Sequence, residues 1–265
     1  MFLEPIDFAK MYRDHKCATD FKGKTSSDWD EKSKDMAVST IDSPYVNDFI
    51  SRMNITGDEV ILDIGCGPGA LSIPLAKRVK EVIAIDFSTQ MLAELEAYAA
   101  REGVTNIRTF HLSWEDDWSI LPPVDIAVAS RSMEVSDVEY ALLKMSSSAH
   151  RKCYLTYKVG GSFVDMEILN YIGKKIITKP DYWYLPILLY QNGYLPTIDY
   201  ISTERGSIRS NNVEEFVESL TWSLGGIEEE QRIKAIEYYE RFIVSENRHP
   251  KPMQWALIGW ETTRA

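Results

Sequence analysis

Asp63 and Asp86 stand on either side of a glycine-rich stretch, Gly65-Cys66-Gly67-Pro68-Gly69-Ala70. Glycine permits positive φ and lets a ligand approach the backbone closely, so such a turn between a strand and a helix is a binding feature. The spacing Gly65-x-Gly67-x-x-Ala70 also satisfies the dinucleotide fingerprint. Two features point elsewhere. Asp63 lies two positions before the first glycine, where its carboxylate would face the ligand. Like charges about 4 Å apart cost a few kcal/mol at a half-buried site, so a diphosphate is disfavoured and a cationic group favoured. Gly69 comes one position too early for the dinucleotide pattern. Asp86, in Ile85-Asp86-Phe87-Ser88, ends the next strand, where an acid can accept both hydroxyls of a ribose. The loop Leu112-Ser113-Trp114-Glu115-Asp116 lies beside the position of the base, and Ala129-Ser130-Arg131-Ser132-Met133-Glu134 faces the same crevice.

These residues need elements to hold them. Val60-Ile61-Leu62, Val82-Ile83-Ala84-Ile85, Ile107 to Leu112, Val124 to Ala129 and Cys153 to Tyr157 read as strands. Helical stripes separate them: Leu71, Leu75, Ala76 and Val79, then Met91, Leu92, Leu95 and Tyr98, then Ala141, Leu142 and Met145 behind a capping box at Ser136-Asp137-Val138-Glu139. Strands alternating with helices at short spacing mean βαβ units and a parallel sheet. Ahead of them, Ser43-Pro44 starts a helix. Behind them come a helix over Tyr182 to Tyr190, a strand over Ile198 to Ile201, helices over Val213 to Leu224 and Ile227 to Val244, and a last strand over Gln254 to Trp260 after Pro250-Lys251-Pro252. The chain divides into an N-terminal helical cap (1–56), a core (57–204), a helical insertion that caps the substrate side (205–250) and a final strand completing the sheet (251–265).

Asp63-Ile64-Gly65-Cys66-Gly67-Pro68-Gly69, the strand end Ile85-Asp86-Phe87-Ser88 and Met91-Leu92 resemble the class I S-adenosylmethionine-dependent methyltransferases over about residues 57–160. The resemblance implies an α/β fold: a Rossmann-like, doubly wound, mostly parallel seven-stranded sheet with helices on both faces. Gln254–Trp260 would be an antiparallel strand between the fifth and sixth. It also implies S-adenosylmethionine as cofactor, with S-adenosylhomocysteine as product. Gly65, Cys66, Gly67 and Gly69 would hold the methionine part, Asp63 its ammonium and Asp86 the ribose diol. Phe87 and Met91 would flank the adenine, Ser113, Trp114 and Glu115 would reach its edge, and Ser130 would border the crevice. Ser113 departs from the acid that many relatives carry.

On the acceptor side the family's arrangement supplies Tyr12, His15, Trp29, Arg131, Glu134, Tyr157 and Trp183. Arg131, Glu134 and His15 are the candidate catalytic residues; their plain alternatives are an ion pair closing the loop and a surface histidine. The expected reaction is methyl transfer to a small molecule by direct displacement. Rival readings are methylation of protein or RNA, a cofactor-binding regulator that transfers nothing, and an NAD-linked oxidoreductase. Lys10, Arg13, Lys16, Lys22, Lys24, Lys174, Lys175 and Lys179 would favour a polyanionic substrate if they formed one patch.

Composition bounds the rest. In 265 residues there are 29 Lys and Arg against 40 Asp and Glu, a net charge of −11. That balance argues against broad binding to nucleic acid or an anionic membrane. Three widely spaced cysteines support neither a disulfide framework nor zinc. No apolar run reaches the ~20 residues of a membrane span, and the first residues are acidic where a signal peptide is basic, so a cytoplasmic protein is expected. Asp116-Asp117 lacks the partners a metal needs, so no metal is expected. Cys66 reads as a small residue tolerated in a turn rather than a nucleophile. Nothing in the sequence specifies an oligomer.

Overall fold

Ile61 and Leu62 are neighbours in one strand and must face opposite sides of it, yet both are apolar; such a strand is stable only if covered on both faces. The computed structural model shows this arrangement. It describes residues 6–21, 23–31, 43–203, 208, 211–248 and 251–264. Lys22 and Pro250 lie outside them.

Seven strands form one sheet: β1 (Val60–Ile64), β2 (Glu81–Asp86), β3 (Ile107–His111), β4 (Val124–Ser130), β5 (Ala149–Lys158), β6 (Thr197–Ser202) and β7 (Gln254–Glu261). Their order is β3-β2-β1-β4-β5-β7-β6, with β7 antiparallel to both neighbours. The order reverses between β1 and β4, so the carboxyl ends of those strands open the crevice where ligands bind in such sheets.

The helices are α1 (Phe8–Ala18), α2 (Pro44–Ser51), α3 (Ser72–Ala76), α4 (Thr89–Arg101), α5 (Val138–Ser148), α6 (Met166–Ile172), α7 (Tyr184–Gln191), α8 (Val213–Leu224) and α9 (Glu229–Tyr238). Residues 26–31 are also helical. A π-helical turn, Tyr239–Ser245, continues α9. The two faces of the sheet carry separate apolar layers. Leu62, Ile64, Ile83, Ile85, Ala127 and Leu155 pack with α1, α5 and α7. Ile61, Val82, Ala84, Ile126 and Val128 pack with α2, α3 and α4. The alternation follows from the two-residue period of a strand. A third layer joins α6, α8, α9 and Phe21, so residues between β5 and β6 share the apolar layer of the later helices.

Local chemistry sets the helix ends. Ser43 accepts from the Val46 N–H, Ser88 from Met91, and Asn212 from Glu215. At α5 the cap is Asp137, which accepts from the Tyr140 N–H at 3.0 Å, so the helix starts one residue later than a Ser136 cap would set it. A capping box does occur at α9, between Glu228 and Gln231.

Candidate active site

The glycine turn is stitched to β2. Gly65 and Cys66 donate their N–H groups to the Ile85 carbonyl at 2.8 and 3.0 Å. Gly65 has φ +67°, and a Cβ there would lie 2.4 Å from the Ser132 Cβ. Both the dihedral and the close approach of the β4 loop therefore require glycine. Gly67 has φ +53°, and a Cβ built on it would meet nothing within 4 Å. This part of the turn borders open space, as a ligand cradle must.

The two aspartates sit below the turn. Gly67 N–H donates to Asp86 Oδ2 at 2.8 Å and Ser88 N–H to Oδ1 at 2.9 Å. Burial raises the Asp86 pKa against these hydrogen bonds, and the charge of Asp30 adds to the rise. Asp63 is fully buried and accepts from the Ser72 hydroxyl at 2.6 Å. Burial pushes its pKa up to about 7, opposed by the Ser72 bond and assisted by Asp86. A buried carboxyl of this kind favours a cation, which would restore its charge. Cys66 is buried too; burial and both aspartates raise its pKa well above the usual thiol value, so no thiolate nucleophile forms there.

Around the base position, Met91 is buried and Phe87 is 37% exposed. Ser113 organises the β3 loop: its N–H donates to Asp116 and its carbonyl accepts from the Trp118 indole. Trp114 donates its indole N–H to the Ser132 carbonyl at 3.0 Å and tilts against Trp118. Trp114 thus ties the β3 loop to the β4 loop. The Glu115 side chain is exposed. The Ser88 hydroxyl donates to Asp30, so the helical residues 26–31 reach the end of β2 beside Asp86, while Trp29 meets Trp222 of α8 edge-on.

The β4 end is held by side chains from far along the chain. Tyr45 of α2 places its hydroxyl 2.9 Å from Ser130 Oγ and 2.7 Å from Thr156 Oγ1. Arg131 has φ +59°, unusual for a residue with a side chain, and its guanidinium lies over the Tyr45 ring at 4.4 Å. Arg131 and Glu134 do not pair with each other. Glu134 instead bonds Lys16 and Lys179. Burial alone would raise its pKa, but Lys179 and Lys16 outweigh it and hold Glu134 below the ordinary glutamate value. His15 donates from Nε2 to the Thr178 carbonyl at 3.0 Å, so that nitrogen holds its proton. Tyr12 donates to the Val135 carbonyl, and Tyr157 donates to Tyr12. Trp183 stacks on Tyr184.

Tyr45, Thr156, Ser72, Ser132, Lys16 and Lys179 complete the site without having stood out as candidates individually. Ser72, a hydroxyl at the start of the helix that follows the turn, and Ser132, on the crevice-facing segment after β4, had local signals. A separate cavity of about 220 Å³, lined by Asp20, Phe21, Lys174, Lys175, Ile176 and Leu224, includes no residue of the glycine turn.

Residues 61–151, from β1 into β5, match the family description "Methyltransferase domain". Residues 61–151 are a methyltransferase domain of the class I, S-adenosylmethionine-dependent kind. The chain is 33% identical to an "Uncharacterized protein" of Haemophilus influenzae over the full length of both chains, so the two belong to one family. A segment of 77 residues is 29% identical to the 23S rRNA (uracil(1939)-C(5))-methyltransferase RlmD of Aliivibrio salmonicida, 29% of this chain and 18% of that one. The YcgJ protein of Bacillus subtilis has the same fold, with a TM-score of 0.59, 16% identity and coverage of 83% of this chain and 99% of that one. No helix among the described residues of the methyltransferase is long and apolar enough to cross a membrane.

Proposed function

We propose that this methyltransferase transfers the methyl group of S-adenosylmethionine to a small-molecule acceptor by direct displacement. The observation that carries the reading is the pair of buried aspartates under a turn of positive-φ glycines, one of which faces open space. Asp63 would hold the cofactor's ammonium and Asp86 its ribose diol, with Gly65, Cys66, Gly67 and Gly69 lining the methionine part. Phe87, Met91 and the Ser113–Glu115 loop would border the adenine, and Ser130 the cofactor crevice. When bound, the cofactor supplies a sulfonium that is already a strong methyl donor. The protein's task is then alignment, which can contribute several kcal/mol.

No candidate base stands out among the acceptor-side residues. Glu134 is too weakly basic beside its lysines, and His15 Nε2 is committed as a donor. Arg131 is a cation and serves to position Tyr45 and the loop. An acceptor that is already nucleophilic needs no strong base from these described residues, and this reading favours one. Residues 1–56 and 205–250 act as helical caps on the acceptor side, and 57–204 with 251–265 form the cofactor core.

The net charge of −11 supports a small molecule over RNA. The test is incubation with methyl-labelled cofactor and, separately, a small-metabolite fraction, ribosomal RNA and total protein. Label in the small-molecule fraction alone is expected. Label in RNA or protein alone would replace this reading with a macromolecular one.

A further inference from the structure

Two ammonium groups bond a single carboxylate on the acceptor side, and a third, Lys24, which donates to the Trp222 carbonyl at 3.2 Å, lies near enough for its charge to act on one of them. Lys16 comes from α1, Lys24 from the segment after it, and Lys179 from the stretch between α6 and α7. Glu134 bonds Lys16 through Oε1 and Lys179 through Oε2, the latter at 2.6 Å. The Lys16 and Lys179 side chains are only 14% and 15% exposed. Lys24 stands over the Trp222 ring, 3.9 Å from its centroid, and its charge bears on Lys179. Each ammonium carries three N–H donors, and Glu134 takes one from each of two. Cations recessed from water with donors to spare are costly unless an anion joins them. Burial, together with repulsion from Lys16 and Lys24, lowers the Lys179 pKa in spite of Glu134. The rings of Phe21 and Phe163 flank Lys179 at 5.7 and 5.3 Å.

We propose that Lys16, Lys179 and Lys24 dock a carboxylate or phosphate group of the methyl acceptor, which makes the acceptor a small organic anion. The inference rests on the reading of the protein as a methyltransferase of small molecules. Glu134 lies on the loop whose Ser132 packs on Gly65, so the docked anion stands on the loop that borders the cofactor crevice. A nucleic acid is less suited, because its phosphates need a broad exposed basic stripe rather than recessed ammoniums around a carboxylate.

The test is calorimetric titration of the full chain, saturated with S-adenosylhomocysteine, with benzoate, with phenyl phosphate and with a single-stranded RNA oligomer. Saturable binding of benzoate or phenyl phosphate is expected, and the tighter of the two identifies the anion. Lys16→Gln/Lys179→Gln should weaken it by about tenfold or more, since two charge-assisted hydrogen bonds are lost. Glu134→Gln should tighten it, because the competing carboxylate leaves and both lysines stay. If the double variant does not fold, Glu134→Gln carries the test alone, and unchanged or weaker binding of the anion overturns the proposal. Anion binding indifferent to all of these variants, or RNA binding in place of small anions, also overturns it. A separate titration with S-adenosylhomocysteine keeps the two readings apart. Its failure to bind folded protein defeats the methyltransferase reading; its binding without any anion binding defeats only the docking site.

Discussion

At the β1–β2 end of the crevice, the groups in place are two carboxylates and a glycine turn whose N–H groups are bonded to the Ile85 carbonyl and to Asp86. At the β4–β5 end they are side chains delivered by α1, α2 and the stretch before α7. The first arrangement is fixed by backbone hydrogen bonds and positive-φ glycines. The second is a set of replaceable ion pairs and hydroxyls resting on the same sheet. The difference teaches how one fold keeps its donor while its acceptors vary: cofactor chemistry is written in backbone geometry, acceptor chemistry in exchangeable side chains.

The largest effect that would break this contrast is at Gly65. Gly65→Val puts a branched side chain at φ +67° and into Ser132, and should cost about 4 kcal/mol in urea unfolding. A loss under about 1 kcal/mol would mean that the turn is not rigid.

Asp63 sharpens the comparison through pH. Its folded pKa of about 7 lies above the usual 3.8, so the native state holds a proton that the unfolded state releases across that window. Stability from this group is present below pH 3.8 and is lost as pH rises towards 7. Relative to Asp63→Asn, the cofactor-free protein should lose on the order of 4 kcal/mol between pH 4 and 8, measured by paired denaturant curves. Parallel curves would show that Asp63 is ionised without a ligand.

Trp114→Phe removes the indole bond that joins the two ends of the crevice. It should lower stability by about 1 kcal/mol and weaken S-adenosylhomocysteine binding only a few fold. A collapse of binding would make Trp114 part of the cradle itself.

The smallest effect is at Arg131. Because its φ is +59°, Arg131→Gly should be more stable than Arg131→Ala by about 0.5–1 kcal/mol in thermal unfolding. The reverse order would show that the loop backbone is relaxed there.

The same contrast explains what could be read from the sequence. Strand runs and helix stripes are legible in the pattern, the antiparallel place of β7 follows only from the family resemblance, and the glycine turn with its aspartates is local enough for one window to contain it. The β4 end is not local. Lys16 meets Glu134 across 118 positions and Tyr45 meets Thr156 across 111, distances that no periodicity encodes. Glu134 could be noticed as an acid on a crevice loop, but its lysines could be seen only as scattered charges until the fold brought them together. The N–H of Trp114 turns to the Ser132 carbonyl, a partner on the β4 loop that its own loop does not reveal.

The central claim is that the aspartate-flanked turn holds S-adenosylmethionine. Calorimetric titration with S-adenosylhomocysteine, on wild type and on Asp86→Ala, tests it most directly. The account predicts saturable one-site binding to wild type and a loss of about 100-fold in the variant, as expected when hydrogen bonds to a charged group are removed. Equal affinities in two folded proteins, or no binding to wild type, would contradict it.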